Sequence, residues 1–162
     1  MRWTGFAEAC PEIAGVAERR FREDEVVLVG TVRKDGSPRI SPTEPEFAAG
    51  RLFVSMMWGS KKALDLLRDP RIVVHSTPSD RMNPGGDIKL YGRVVDEQDP
   101  AVREAFRGAI RARIGWAPEE PEYHCFSLDV GSAAYVRFTE QAFEIWRWTP
   151  GAGFSEEIRP NG

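Results

Sequence analysis

Residues 29–71 read VGTVRKDGSPRISPTEPEFAAGRLFVSMMWGSKKALDLLRDPR, and this stretch decides the fold. An apolar β-run leads into Asp35-Gly36, and an Asp-Gly pair between β-prone segments is the strongest short-range hairpin signal. A further β-run, 50–57, ends at Gly59-Ser60. From there Ala63, Leu64 and Leu67 recur at helical spacing until Asp69-Pro70 stops the helix. Ser60 stands where an N-cap belongs. Lys61 and Lys62 therefore fall in the first helical turn, where the macrodipole is positive and carboxylates are preferred. Only four of the 22 basic residues are lysines, at 34, 61, 62 and 89, so half of them stand at this unfavourable place. A bound anion reconciles the conflict, because free backbone N–H groups and two ammoniums then converge on it.

Working outward, residues 1–22 read as an N-terminal helical segment, with an amphipathic helix over 6–22. Strands are predicted at 26–33, 37–43, 50–57, 72–76, 88–95, 123–130, 133–138 and 142–148. Asp99-Pro100 starts a helix that Gly115 ends. The Pro- and Gly-rich segment 78–87 reads as a surface loop. Many short strands with a few helices fit a small barrel rather than a doubly wound sheet. The whole chain, 1–162, reads as one domain, since 41% hydrophobic and 29% charged residues are ordinary for a globular protein of this size. A net charge of −3 gives no basic field for nucleic acid. No apolar run is long enough to span a bilayer and the first residues carry no signal-peptide core, so the cytosol is the expected location. Cys10 and Cys125 read as reduced thiols, and two cysteines with His75 and His124 lack metal-ligand spacing.

The segment also resembles the flavin-binding split β-barrel proteins of the pyridoxamine 5′-phosphate oxidase-like superfamily. The likeness is carried by TVRKDGSPRISP (31–42), GRLFVSMM (50–57) and GSKKALDLLRDPRIVVH (59–75), and continues through GGDIKLYGRVVD (85–96). It implies a mainly β split barrel of six to eight antiparallel strands, of Greek-key type, with two to three flanking helices. It also implies FMN, its phosphate held by the serine and basic residues at the helix start and its ring by the second and third strands. By position the cofactor residues would be Arg39, Ile40, Ser41, Pro42, Ser55, Met56, Ser60, Lys61 and Lys62. Trp58 would border the ring. A homodimer follows from the resemblance, with cofactor sites at the interface, where the C-terminal strands or the 78–87 loop of one subunit cover the flavin of the other.

Pro38 and Pro42 share strand parity, so the donors they remove lie along one edge. That edge is either guarded against aggregation or left open for the flavin. The expected activity is redox chemistry on a small organic substrate, for which the flavin supplies the electron chemistry and no conspicuous catalytic base is required. True pyridoxamine phosphate oxidases carry an arginine- and histidine-bearing C-terminal motif. Here 143–160, FEIWRWTPGAGFSEEIRP, offers Arg147 and Arg159 without histidine, so vitamin B6 oxidation is not expected. Three alternatives stay open: a reductase using the deazaflavin F420, a haem-binding or haem-degrading member of the superfamily, and a non-catalytic flavin-binding or sensor module.

Overall fold

The structure, a computed structural model, describes residues 1–79 and 83–160. Two helices lead the chain, α1 Trp3–Ala9 and α2 Pro11–Asp24, followed by strands β1 Val27–Val32, β2 Pro38–Thr43, β3 Pro45–Ala48 and β4 Arg51–Met57. After α3 Lys61–Arg68 come β5 Arg71–Ser76, β6 Asp87–Asp96, α4 Pro100–Ile114, β7 Tyr123–Phe138, β8 Ala142–Thr149 and β9 Gly153–Pro160. All the strands join one antiparallel sheet in the order β2-β1-β5-β6-β7-β4-β3, and β8 and β9 extend it from the far half of β7. The fold is an antiparallel split barrel.

The first hairpin forms where its turn chemistry places it. Asp35 accepts from the Ser37 backbone N–H at 2.9 Å and from its hydroxyl at 2.6 Å, while Gly36 takes φ +83°. This local bonding is what Asp and Gly contribute to tight turns. Strand β2 is an edge of the sheet, in keeping with its two prolines. Between that edge and β4 the barrel is closed by side chains rather than a ladder. Thr43 Oγ1 donates to the Ser55 carbonyl at 2.9 Å and Lys62 Nζ to the Pro42 carbonyl at 2.5 Å.

Nine strands and four helices appear among the described residues, one strand and one helix beyond the expected counts. Four differences account for this. Cys10, at φ −149°, breaks the N-terminal segment so that Pro11 starts a second helix, as proline at a first helical position does. Strand β3 is only four residues long and turns into β4 through Ala49 and Gly50, both at positive φ, without an Asn-Gly or Asp-Gly signature. The predicted strands 123–130 and 133–138 are one strand, β7, which bonds to β6 along its length; the register shifts between Tyr91 and Gly92. A Cβ on Gly92 would stand 2.0 Å from the Asp129 carbonyl oxygen, so only glycine fits there. The last strand, β9, follows the predicted strands and pairs with β8 as a hairpin. The predicted 78–87 loop includes residues 80–82, which lie outside the described residues.

The barrel interior is filled by Val27, Val29, Leu52, Val54, Leu90 and Phe126, all fully buried. Helices α1 and α2 cover one end, with Phe6 packing edge-on to Trp148 at 5.0 Å between ring centres. A second apolar cluster, Phe53, Phe106, Ile110, Tyr123 and Cys125, lies beneath α4. Burial of this order supplies the main driving force for folding. Helix α3 lies on the barrel core through Ala63 and Leu66, while Leu64, Leu67 and the neighbouring Met57 and Trp58 stay exposed.

Candidate cofactor site

The site is built on the start of α3. Ser60 is its N-cap residue, at φ −60° and ψ 147°, yet its side chain makes no capping bond. Its Oγ is buried with no hydrogen-bond partner among the described residues. A buried hydroxyl without a partner is costly and calls for an explanation. The first turn carries no acidic residue; it carries Lys61 and Lys62. Lys61 is exposed, whereas Lys62 is half-buried, and burial holds its ammonium below the usual lysine value. The first amides of any α-helix lack intrahelical acceptors, so this corner combines backbone N–H groups, one orphan hydroxyl and two ammoniums.

Arg39, on β2, lines a cleft with Lys61 and is held there by Asp65, a residue to which the sequence assigned no role. Asp65 Oδ2 accepts from Arg39 Nε at 2.7 Å and from Thr31 Oγ1 at 3.0 Å. Arg68 approaches Oδ1 of the same carboxylate at 3.4 Å and also bonds the Val32 carbonyl. Burial alone would raise the Asp65 pKa, but the bonds from Arg39 and Thr31 outweigh it and hold the carboxyl below its ordinary range. Because Arg39 bonds through Nε, its planar fork is oriented while the two Nη nitrogens remain for another acceptor.

The nine expected residues do not form one lining. Ser55, Met56, Ser60 and Lys62 border a hollow of about 490 Å³ together with Thr43, Glu44 and Tyr123. Arg39 and Lys61 border an adjoining basic cleft of about 690 Å³ with Arg33, Lys34 and Arg68. Ser41 is half-buried on β2, and Pro42 contributes the carbonyl that Lys62 grips. Ile40 is separate: 74% exposed, it faces an apolar groove shared with Tyr91. On the other side of the β4–α3 turn, Trp58 stacks on His124, with ring centres 4.5 Å apart and planes 3° apart. Those two rings border a third hollow of about 740 Å³ with Asp96, Arg103 and Tyr123. Burial raises the pKa of Tyr123, whose hydroxyl donates to Glu120 at 2.9 Å.

The C-terminal arginines converge, but on each other's partner. Strands β8 and β9 form a hairpin in which Arg147 Nη1 meets Glu157 Oε2 at 2.8 Å and Arg159 Nε meets Glu157 Oε1 at 2.5 Å. Both guanidiniums are thus engaged by one carboxylate. Cys10 and Cys125 are buried free thiols, and burial pushes Cys125 up to about 12, which makes it unreactive. Among the described residues no group of His, Cys, Asp and Glu is placed to hold a metal ion. No described helix is long and apolar enough to cross a membrane.

Comparison with known proteins agrees with this architecture. No curated protein matches the sequence. A nimC/nimA family protein from Clostridium acetobutylicum superposes with a TM-score of 0.65 at 18% identity, covering 81% of this chain and 89% of that one. A pyridoxamine 5′-phosphate oxidase-related, FMN-binding protein from Nostoc punctiforme superposes at 0.61 with 14% identity, over 98% and 97% of the two chains. A haem-binding protein from Mycobacterium smegmatis gives 0.56 at 12% identity, over 89% and 88%. At these identities the likeness is one of fold. The family model described as pyridoxamine 5′-phosphate oxidase matches residues 15–139, from α2 to the turn after β7. The chain belongs to the pyridoxamine 5′-phosphate oxidase family.

Proposed function

We propose that this protein binds FMN, with the phosphate at the start of α3, and uses it in redox chemistry on a small organic molecule. One observation carries this: the buried Ser60 Oγ has no partner, in a helix start with two lysines and no acid. A phosphate would satisfy the hydroxyl and the first-turn amides together, and its charge would offset both ammoniums. Arg39, held by Asp65, would add a planar donor pair from the side. Ser55 and Met56 of β4 would border the ring system. FMN itself supplies the electron chemistry when bound, and the chain's part is to hold and orient it and to exclude water.

The protein would act as a homodimer that completes the site. Met57 and Trp58, 79% and 65% exposed, stand directly beside the phosphate corner. Leu64 and Leu67 of α3 add to this apolar surface. A surface of that kind fits a subunit interface.

F420 is the second reading, favoured by the basic cleft beside the corner. Its five cations, Arg33, Lys34, Arg39, Lys61 and Arg68, face only Asp35 and Asp65 and would suit an acidic extension beyond the phosphate. Haem finds less support: His124 already uses Nε2 as an acceptor and is stacked against Trp58 and Phe126.

Titrating the purified protein with FMN, riboflavin and F420 tests this reading, followed by visible absorbance and flavin fluorescence. FMN should bind much more tightly than riboflavin, and Lys61→Ala with Lys62→Ala should remove that difference, since each charge-assisted contact contributes about 1.5–3 kcal/mol. Equal losses for FMN and riboflavin would place the phosphate elsewhere.

A further inference from the structure

His124 is the second residue of β7, opposite Met56 of β4, and it is 8% exposed. Its ring lies nearly parallel to those of Trp58, at 4.5 Å, and Phe126, at 5.8 Å. In the ring plane its Nε2 lies 3.1 Å from the Gly59 backbone nitrogen. An amide N–H can only donate, so Nε2 carries the lone pair and the ring proton resides on Nδ1. Gly59, at φ +67°, is the residue immediately before Ser60. The turn that presents Ser60 is therefore held by a stack on Trp58, by the bond from Gly59 to His124, and by the Ser60 N–H donating to the Met57 carbonyl at 3.1 Å. Of these three, only the histidine bond can be switched by a proton.

The charged groups around the ring come from three directions. Asp96 ends β6; Arg103, Glu104 and Arg107 lie on α4; Glu120 lies on the connector before β7. Arg103 is held by Glu120 at 2.7 Å and Arg107 by Glu104 at 2.8 Å, so Asp96 is the carboxylate of this group outside those pairs. Burial lowers the His124 pKa, Asp96 raises it and Arg103 lowers it; the net shift is downward. The ring is then neutral, and an acceptor, at neutral pH.

We propose that His124 is a positioning residue for the anion-binding turn: neutral, it fixes Gly59 and Ser60 for a phosphate, and protonated, it releases them and weakens binding of a phosphate-bearing flavin. This rests on Ser60, Lys61 and Lys62 being the phosphate corner. An imidazolium would also add a positive charge near the phosphate, an effect of opposite sign. That charge is offset by the Asp96 carboxylate, whereas two donors facing each other at 3.1 Å repel directly. Release wins, and acid weakens binding.

The test is FMN affinity from about pH 8 to about pH 5, a window spanning the usual histidine range, for the wild type, His124→Gln and His124→Phe. Glutamine keeps an acceptor that does not titrate, and phenylalanine keeps the stack without an acceptor. FMN's own phosphate protonates in this window equally for all three proteins. Across it the wild type should lose about five- to tenfold more affinity than His124→Gln, the scale of one hydrogen bond. His124→Phe should bind weakly throughout, with the same shallow slope as His124→Gln. In the wild-type protein alone, the Gly59 amide NMR shift should step as the His124 ring titrates. Parallel curves for wild type and His124→Gln, a wild-type affinity that rises in acid, or a Gly59 shift that ignores the titration would each overturn the proposal. Absence of binding of both FMN and F420 at every pH would overturn the phosphate corner and this proposal together; parallel curves with tight FMN binding would overturn this proposal alone.

Discussion

Replacing Ser60 by alanine separates a ligand-binding hydroxyl from a structural one by the sign of its effect. N-cap serines normally stabilise a helix, and their loss costs about 0.5–2 kcal/mol. Ser60 makes no capping bond, and its Oγ is buried without a partner, so that cost does not apply. Removing an unsatisfied buried hydroxyl should instead recover about 1 kcal/mol, toward the low end of the usual 1–3 kcal/mol penalty. For a chain of this length that raises the melting temperature of the cofactor-free protein by about 2–4 °C. The same substitution removes a donor to a phosphate, worth about 1.5–3 kcal/mol, so FMN affinity should fall by roughly ten- to a hundredfold. Riboflavin affinity should hardly move. Scanning calorimetry of the apo protein and fluorescence titration with both flavins measure the two effects on one preparation. A lower melting temperature together with unchanged FMN affinity would refute the reasoning, because the hydroxyl would then serve the helix.

Other expectations follow from the ion pairs and the exposed apolar surface. Asp65→Ala strips Arg39, Thr31 and Arg68 of a shared buried acceptor and should destabilise the protein by about 3 kcal/mol in urea unfolding. Because the folded Asp65 pKa is depressed, its contribution is present above the unfolded carboxylate value and lost as pH falls through the folded one; Asp65→Asn should flatten that acid limb, and an unchanged limb would count against the pairing. Sedimentation at micromolar concentration should show a homodimer with a total interface above about 1,200 Å², and Met57→Glu should yield monomers with weakened flavin binding; a wild-type monomer that binds flavin tightly would contradict both. Pyridoxamine 5′-phosphate should give negligible hydrogen peroxide at saturating FMN, because Glu157 engages Arg147 and Arg159. Efficient turnover abolished by Arg147→Ala would overturn that expectation.

What was legible in the sequence was local. The Asp35-Gly36 turn, the Ser60 position and the Asp99-Pro100 helix start each depend on a few adjacent residues, and each stands where it was expected. The break at Cys10 was missed although Pro11 signalled it, since proline suits the first turn of a helix and disrupts its interior. Gly131-Ser132 looked like a strand end, yet pairing with β6 carries β7 straight through it. The same limit holds at the site. Ser60, Lys61 and Lys62 are neighbours in sequence, so their conflict with the helix dipole was visible. Asp65 meets Arg39 across 26 positions and His124 meets Gly59 across 65, and no periodicity or spacing rule records such pairings. A carboxylate among the apolar residues of a short helix was the only trace of the first, since buried carboxylates need partners. For the second there was no signal at all.

A crystal structure of the protein grown with FMN tests the central claim most directly. The account predicts the flavin phosphate at the start of α3, within hydrogen-bond distance of Ser60 Oγ and the amides of Lys61 and Lys62, with Arg39 still held by Asp65. A phosphate bound away from that turn, with Ser60 Oγ still unpaired, would contradict it.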